Sequence, residues 1–140
     1  MNGKFFLDTN IFVYSFDRTS PAKAKRATEL IREAIDRSKG VVSYQVVQEF
    51  FNVALRRFGP PMTLAEAEQY LGTIFRPLLA INSSQVLYAE ALRLSGRYRF
   101  SWYDALIVAG AVEAQCSVLY TEDLQHGQRF GSLQIENPFL

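Results

Sequence analysis

The chain has 140 residues, 49% of them hydrophobic and 21% charged, with a net charge of +1. That is enough apolar material for one compact domain spanning 1–140, and too ordinary a charge content for a disordered tail. The near-neutral total excludes an overtly basic chain but not a basic surface: of 15 basic and 14 acidic residues, gathering four acids around a cation leaves 15 basic against 10 acidic side chains.

In chain order, Lys4–Leu7 predicts a short buried strand, and a helix starts near Asn10. A second helix runs from Pro21, which suits a first helical position, to about Ser38, with Gly40 as its stop. Val41-Val42-Ser43 is a short apolar strand. Tyr44–Phe58 has helical spacing, and Gly59-Pro60-Pro61 breaks it. Thr63-x-x-Glu66 is a capping box opening a helix to about Phe75. Leu78–Ile81 predicts a strand, Ser84–Leu94 a helix, and Ser95–Phe100 a basic loop. Trp102–Ala114 is apolar nearly all round, as in a buried helix, with Trp102 and Tyr103 expected in the core. Ser117–Tyr120 is a strand, with a last one at Leu133–Ile135. Strands that are continuous apolar runs alternating with helices predict an α/β sandwich around a parallel sheet. No apolar run approaches the ~20 residues that span a bilayer. The start of the chain meets Asp8 after only three apolar residues, too few for a signal peptide, so a soluble, cytoplasmic protein without membrane contact is expected. Cys116, the single cysteine, reads as a packed thiol.

Four carboxylates carry the chemistry. Asp8 ends the first strand and Asp123 follows the Ser117–Tyr120 strand, both at carboxyl ends, where open sheets bind ligands. Glu49 sits on a helix flank whose neighbours, Gln45, Val46, Asn52 and Val53, include no cation to pair with it. Asp104 opens the apolar helix, and Ser101-x-x-Asp104 also matches a capping box. Unpaired carboxylates repel one another unless a cation sits among them. An all-oxygen set suits Mg²⁺, or Mn²⁺, rather than zinc. His126 is the only histidine and reads as a loop residue. Before Asp104, Arg97 and Arg99 stand among aromatics; they are candidates to grip phosphates, or are simply solvated.

The segments FLDTNIFVYSF, SYQVVQEFFNV, SWYDALIVAGA and LYTEDLQHGQ, in this order, resemble the PIN-domain ribonucleases, most closely the VapC-type toxins of toxin–antitoxin pairs. The resemblance covers nearly the whole chain. It implies a three-layer α/β/α PIN domain and a Mg²⁺- or Mn²⁺-dependent endoribonuclease leaving 5′-phosphate and 3′-hydroxyl ends. Asp8, Glu49, Asp104 and Asp123 would be its acidic quartet. Thr121 would orient a ligand or water, and Asn10 would support Asp8. It also implies an antitoxin partner. Such a partner would place Arg or Lys into the acidic site and seat apolar anchors beside it, around Phe51, Phe58 and Tyr70, a surface that would also serve a homodimer. The alternative is a catalytically silent PIN-like module that binds RNA or protein. A phosphatase of the haloacid dehalogenase type needs a second aspartate where Asn10 stands. A receiver domain needs a phosphoacceptor aspartate where the middle strands end in Ser43 and Asn82.

Overall fold

The computed structural model describes residues 3–140. One sheet holds β1 (Phe5–Leu7), β2 (Gly40–Ser43), β3 (Leu79–Ile81), β4 (Val118–Tyr120), β5 (Arg129–Phe130) and β6 (Leu133–Glu136). Its order is β3-β2-β1-β4-β6-β5. Four of its pairings are parallel, and only β5 runs antiparallel, against β6. The expected parallel sheet is therefore mixed at one edge. There Gly131, with φ of 62°, opens a two-residue turn, a conformation that glycine adopts without steric cost. β1 lies between β2 and β4, so the chain leaves it toward both halves of the sheet. That makes the carboxyl ends of β1 and β4 the crevice where an open α/β sheet takes a ligand.

The helices α1 (Thr9–Tyr14), α2 (Pro21–Asp36), α3 (Tyr44–Ala54), α4 (Leu64–Tyr70), α5 (Arg76–Leu78), α6 (Gln85–Tyr98) and α7 (Trp102–Glu113) flank this sheet, and a π-helical turn over Leu71–Phe75 joins α4 to α5. Pro21 opens α2 as expected. Gly40 is not its stop. Ser38 takes the left-handed conformation after α2, with φ of 54°. Gly40 begins β2 instead, and it is small because a Cβ there would lie 2.2 Å from the Cβ of Ala34. α3 ends at Ala54, four residues short of the expected Phe58, and Met62 N–H then closes on the Ala54 carbonyl at 2.9 Å.

Phe50 organises the core beside α3. Its ring stacks on Tyr70 at 4.9 Å and meets Phe51, Phe58 and Phe75 edge-on at 5.3, 5.9 and 5.3 Å. Burying rings in such edge and offset arrangements adds about 0.5–1.5 kcal/mol per pair beyond the area term. Phe51, Phe58 and Tyr70 are thus largely spent on the core. α7 is buried continuously from Ala105 to Ala111; it packs on β2 and β4 and pairs with α6.

The expected Ser95–Phe100 loop is mostly helix. α6 continues to Tyr98 and carries Arg97 in its last turn. Arg99 caps it in the left-handed conformation, with φ of 58°, and its N–H bonds the Ser95 carbonyl at 3.0 Å. What holds this extension is an aromatic stack: Tyr98 lies on Phe100 at 5.7 Å, and Phe130 meets both. Trp102 and Tyr103 are not in the core; they are 37% and 63% exposed. Cys116 is buried, and desolvation pushes its thiol up to about 12. Among the described residues, no helix is long and apolar enough to cross a membrane.

Candidate active site

Asp8 follows β1 as the N-cap of α1. One carboxylate oxygen accepts the Thr9 N–H at 2.6 Å, and the other accepts the Thr121 hydroxyl at 2.8 Å. The helix expected to start near Asn10 is thus capped by Asp8 itself. Thr121 follows β4 and is fully buried. Its hydroxyl also accepts the Asp123 N–H at 3.1 Å, so a single side chain fixes the spacing of the two strand-end aspartates. Thr121 is thus enclosed, with its hydroxyl bonded to both aspartate segments. Asn10 donates to the Asp123 carboxylate at 3.0 Å, not to Asp8. Asn10 thus supports Asp123, the reverse of the expected assignment.

Glu49 projects from α3. It accepts the Thr9 hydroxyl at 2.5 Å on one oxygen and the Gln45 amide at 3.2 Å on the other. Gln45 also donates to the Tyr103 carbonyl at 3.1 Å, which ties α3 to the start of α7. Asp104 stands in the first turn of α7. Ser101 accepts its N–H at 3.2 Å, but only that half of a capping box forms, so the Asp104 carboxylate is left to face the cleft.

The four carboxylates thus come from four separate segments and line one cleft of about 340 Å³. Thr9, Asn10, Gln45, Asn52 and Tyr103 complete its wall. Of these, only Asn10 was identified from the sequence as a site residue. The signals were present, since Thr9 adjoins Asp8 and Gln45 lies one helical turn before Glu49. A search for cations beside Glu49 passes over neutral donors.

The electrostatics are those of a concentrated negative site. Burial raises the Asp8 carboxyl from 3.8 to about 7, against the lowering effect of the Thr121 and Thr9 hydrogen bonds, and Asp123 and Glu49 push it up further. Desolvation raises Asp123 too, followed by repulsion from Asp104, Glu122 and Glu49. Among the described residues the ion pairs are Lys23–Glu122, Arg37–Glu33 and Arg93–Glu90, so no Lys or Arg neutralises any of the four. The donor set, all carboxylate oxygen, fits a hard divalent cation. No three Asp, Glu, His or Cys side chains among the described residues stand together as a ready-made ligand set. All four carboxylates nevertheless line the one cleft.

Arg97 and Arg99 do not line this cleft. Both are exposed, and Arg97 lies over the Tyr98 ring at 5.3 Å. His126 is a loop residue whose Nδ1 accepts the Asn137 N–H at 2.9 Å.

The PIN domain family profile matches residues 5–129, and the chain belongs to that family. No curated protein matches it closely enough in sequence to count as a relative. Among solved structures, it is similar to a chain of a toxin–antitoxin complex from Klebsiella pneumoniae. The TM-score is 0.71 at 18% identity, over 96% of this chain and 98% of that one. It is also similar to VapC20 of Mycobacterium tuberculosis, a toxin that cleaves the sarcin–ricin loop (TM-score 0.65, 19% identity, 86% of this chain and 90% of the other). A third is PAE2754 of Pyrobaculum aerophilum (TM-score 0.57, 17% identity, 88% and 82%). At these identities the likeness is one of fold.

Proposed function

We propose that the protein is a metal-dependent endoribonuclease acting as the toxin of a toxin–antitoxin pair in the cytoplasm, as a homodimer. One observation carries the nuclease reading: four carboxylates from four segments line a single cleft, and among the described residues no basic side chain pairs with any of them. Membership of the PIN family supports it, and the toxin part rests on the fold shared with the two toxin structures.

In this reading Asp8, Glu49, Asp104 and Asp123 hold Mg²⁺ or Mn²⁺. When bound, such an ion supplies polarisation of a phosphoryl oxygen and a water of lowered pKa. The chain's own part is to aim the carboxylates. Thr121 and the Thr9 N–H fix both oxygens of Asp8. Asn10 turns Asp123, and Thr9 with Gln45 turns Glu49. Partners of this kind typically govern 10–100-fold in metal affinity or activity. Neither a Ser–His nor a Cys–His pair lines the cleft, so water is the attacking group. The antitoxin partner would place an Arg or Lys among the same carboxylates, since a guanidinium fork matches them in charge and shape.

Asp8→Asn tests this reading, because it removes a charge and keeps the shape. Purified wild-type protein should cleave RNA with Mn²⁺ or Mg²⁺ and arrest growth when expressed alone. Asp8→Asn should lose more than about a hundredfold of the cleavage rate, above the range for residues that only orient a ligand, and should relieve the arrest. Equal cleavage by both proteins, after contaminating nuclease is excluded, removes the site assignment.

A further inference from the structure

Val13 and Val53 stand in the wall of the acidic cleft. These two residues, from α1 and α3, also form the near wall of a second groove running on between the ends of the same helices. Tyr14, Phe16 and Phe58 give that groove its apolar walls, and Arg18 and Arg57 stand on it. Cleft and groove adjoin across these two residues and differ in chemistry: carboxylates line the one, aromatics and arginines the other.

Several details limit what lies there. Phe16 is 42% exposed although its ring is held against Phe58 at 5.1 Å and Tyr70 at 5.5 Å. One ring face is therefore fixed by the core while the ring remains open to a ligand. Arg18 and Arg57 are exposed and form no ion pair among the described residues. The one carboxylate in the groove wall, Asp17, accepts the Thr19 N–H and hydroxyl on one of its oxygens, at 2.8 and 2.7 Å. A pre-stacked aromatic beside two free guanidinium groups is the chemistry that holds single-stranded nucleic acid: a base on the ring, phosphates on the arginines. An RNA drawn to a site of four carboxylates also needs positive charge alongside to offset their repulsion. Among the described residues, no Lys or Arg lines the cleft itself.

We propose that this groove is the substrate-positioning subsite for the nucleotides flanking the scissile phosphate of a single-stranded RNA segment, with Arg18 and Arg57 on the phosphates and Phe16 beneath a base. The inference rests on the nuclease reading and adds where its substrate lies. It moves the basic grip from Arg97 and Arg99, which lie outside the cleft and groove, to the far end of α1 and α3.

Binding separates this inference from the reading beneath it. A fluorescent single-stranded 12-nucleotide RNA of mixed sequence is titrated with the full chain in EDTA, so that cleavage plays no part. Losing two phosphate contacts flattens the single-strand salt slope by about 1.4, so Arg18→Ala/Arg57→Ala should bind about 25-fold more weakly at 0.1 M salt and only about fourfold at 0.4 M. Phe16→Leu, which keeps apolar bulk without the ring, should weaken binding about fivefold or more. The charge-matched control Lys4→Ala/Lys25→Ala should stay within about twofold, since distant exposed charges are screened. 4-Thiouridine crosslinks should map to residues 13–19 and 53–60. Unchanged binding and salt slope in the arginine variant, with wild-type cleavage intact, overturns the inference and leaves the nuclease reading standing. A wild type that neither binds nor cleaves RNA overturns both. An arginine variant that binds RNA normally but no longer copurifies with the product of the adjacent upstream gene assigns the groove to a protein partner and overturns the RNA subsite.

Discussion

Two helices of this protein begin with the same sequence device and use it differently. At the start of α4 the capping box closes on both sides. Thr63 accepts the Glu66 N–H at 3.1 Å, and the Glu66 carboxylate reaches back to the Thr63 N–H at 2.9 Å. At the start of α7 only Ser101 accepts, and the Asp104 carboxylate is withheld. Reach explains the difference in part, since Asp is one methylene shorter than Glu. The consequence is functional. Glu66 is spent on its own helix, where the backbone hydrogen bond holds its pKa below the usual carboxylate range. Asp104 is spent on the cleft, where its charge pushes Asp123 upward. A third helix start extends the contrast: Asp8 caps α1 and faces the cleft at once, and burial makes that double use costly.

The largest expected effect belongs to Asp8. Its ordinary value is 3.8 and its folded value about 7. Below about pH 4 the group is neutral folded and unfolded, and it costs nothing. Between pH 4 and 7 the unfolded chain ionises first, so metal-free stability falls as pH rises; above 7 the cost is constant. Three units correspond to about 4 kcal/mol in full. Urea unfolding in EDTA should therefore show Asp8→Asn gaining on wild type from pH 4 to pH 7.5. A difference that is flat with pH would show that Asp8 is not strained.

Next comes the pair of helix starts. Asp104→Asn should lower cleavage by more than about a hundredfold. It should leave stability within about 1 kcal/mol, because only a helix-dipole contribution is lost. Glu66→Gln should do the opposite on a smaller scale: cleavage unchanged and a small loss of stability as the charge leaves the helix N-terminus. Equal effects on activity would erase the distinction between a carboxylate used for capping and one kept for the site.

How much of this could be read from the residues follows the range of each signal. Asp8 and Asp123 were legible because an apolar run ending in an acid marks a strand end, and strand ends in open sheets are where sites form. Glu49 is different. Nothing local distinguishes it from a solvated helix charge, and what brings it into the cleft is the packing of α3 beside α1, a long-range fact. Thr9 and Gln45 escaped for a related reason: one neutral hydrogen-bond donor has no periodicity and no charge balance to betray it. The end of α6 was misplaced because Arg99 occupies a left-handed cap position that usually belongs to glycine, and the stack of Tyr98, Phe100 and Phe130 that holds it joins residues far apart in the chain. β5, with two residues, is too short for any alternation to register.

The account turns on one claim: the four carboxylates form an uncompensated set that a divalent cation relieves. Thermal unfolding at pH 7.5, in EDTA and then with Mn²⁺ at a hundred times its dissociation constant, tests it directly. Wild type should gain about 2.7 kcal/mol, the linkage value for that excess, and Asp8→Asn should gain little. A wild type whose melting temperature does not move, or an identical gain in both proteins, would contradict the claim.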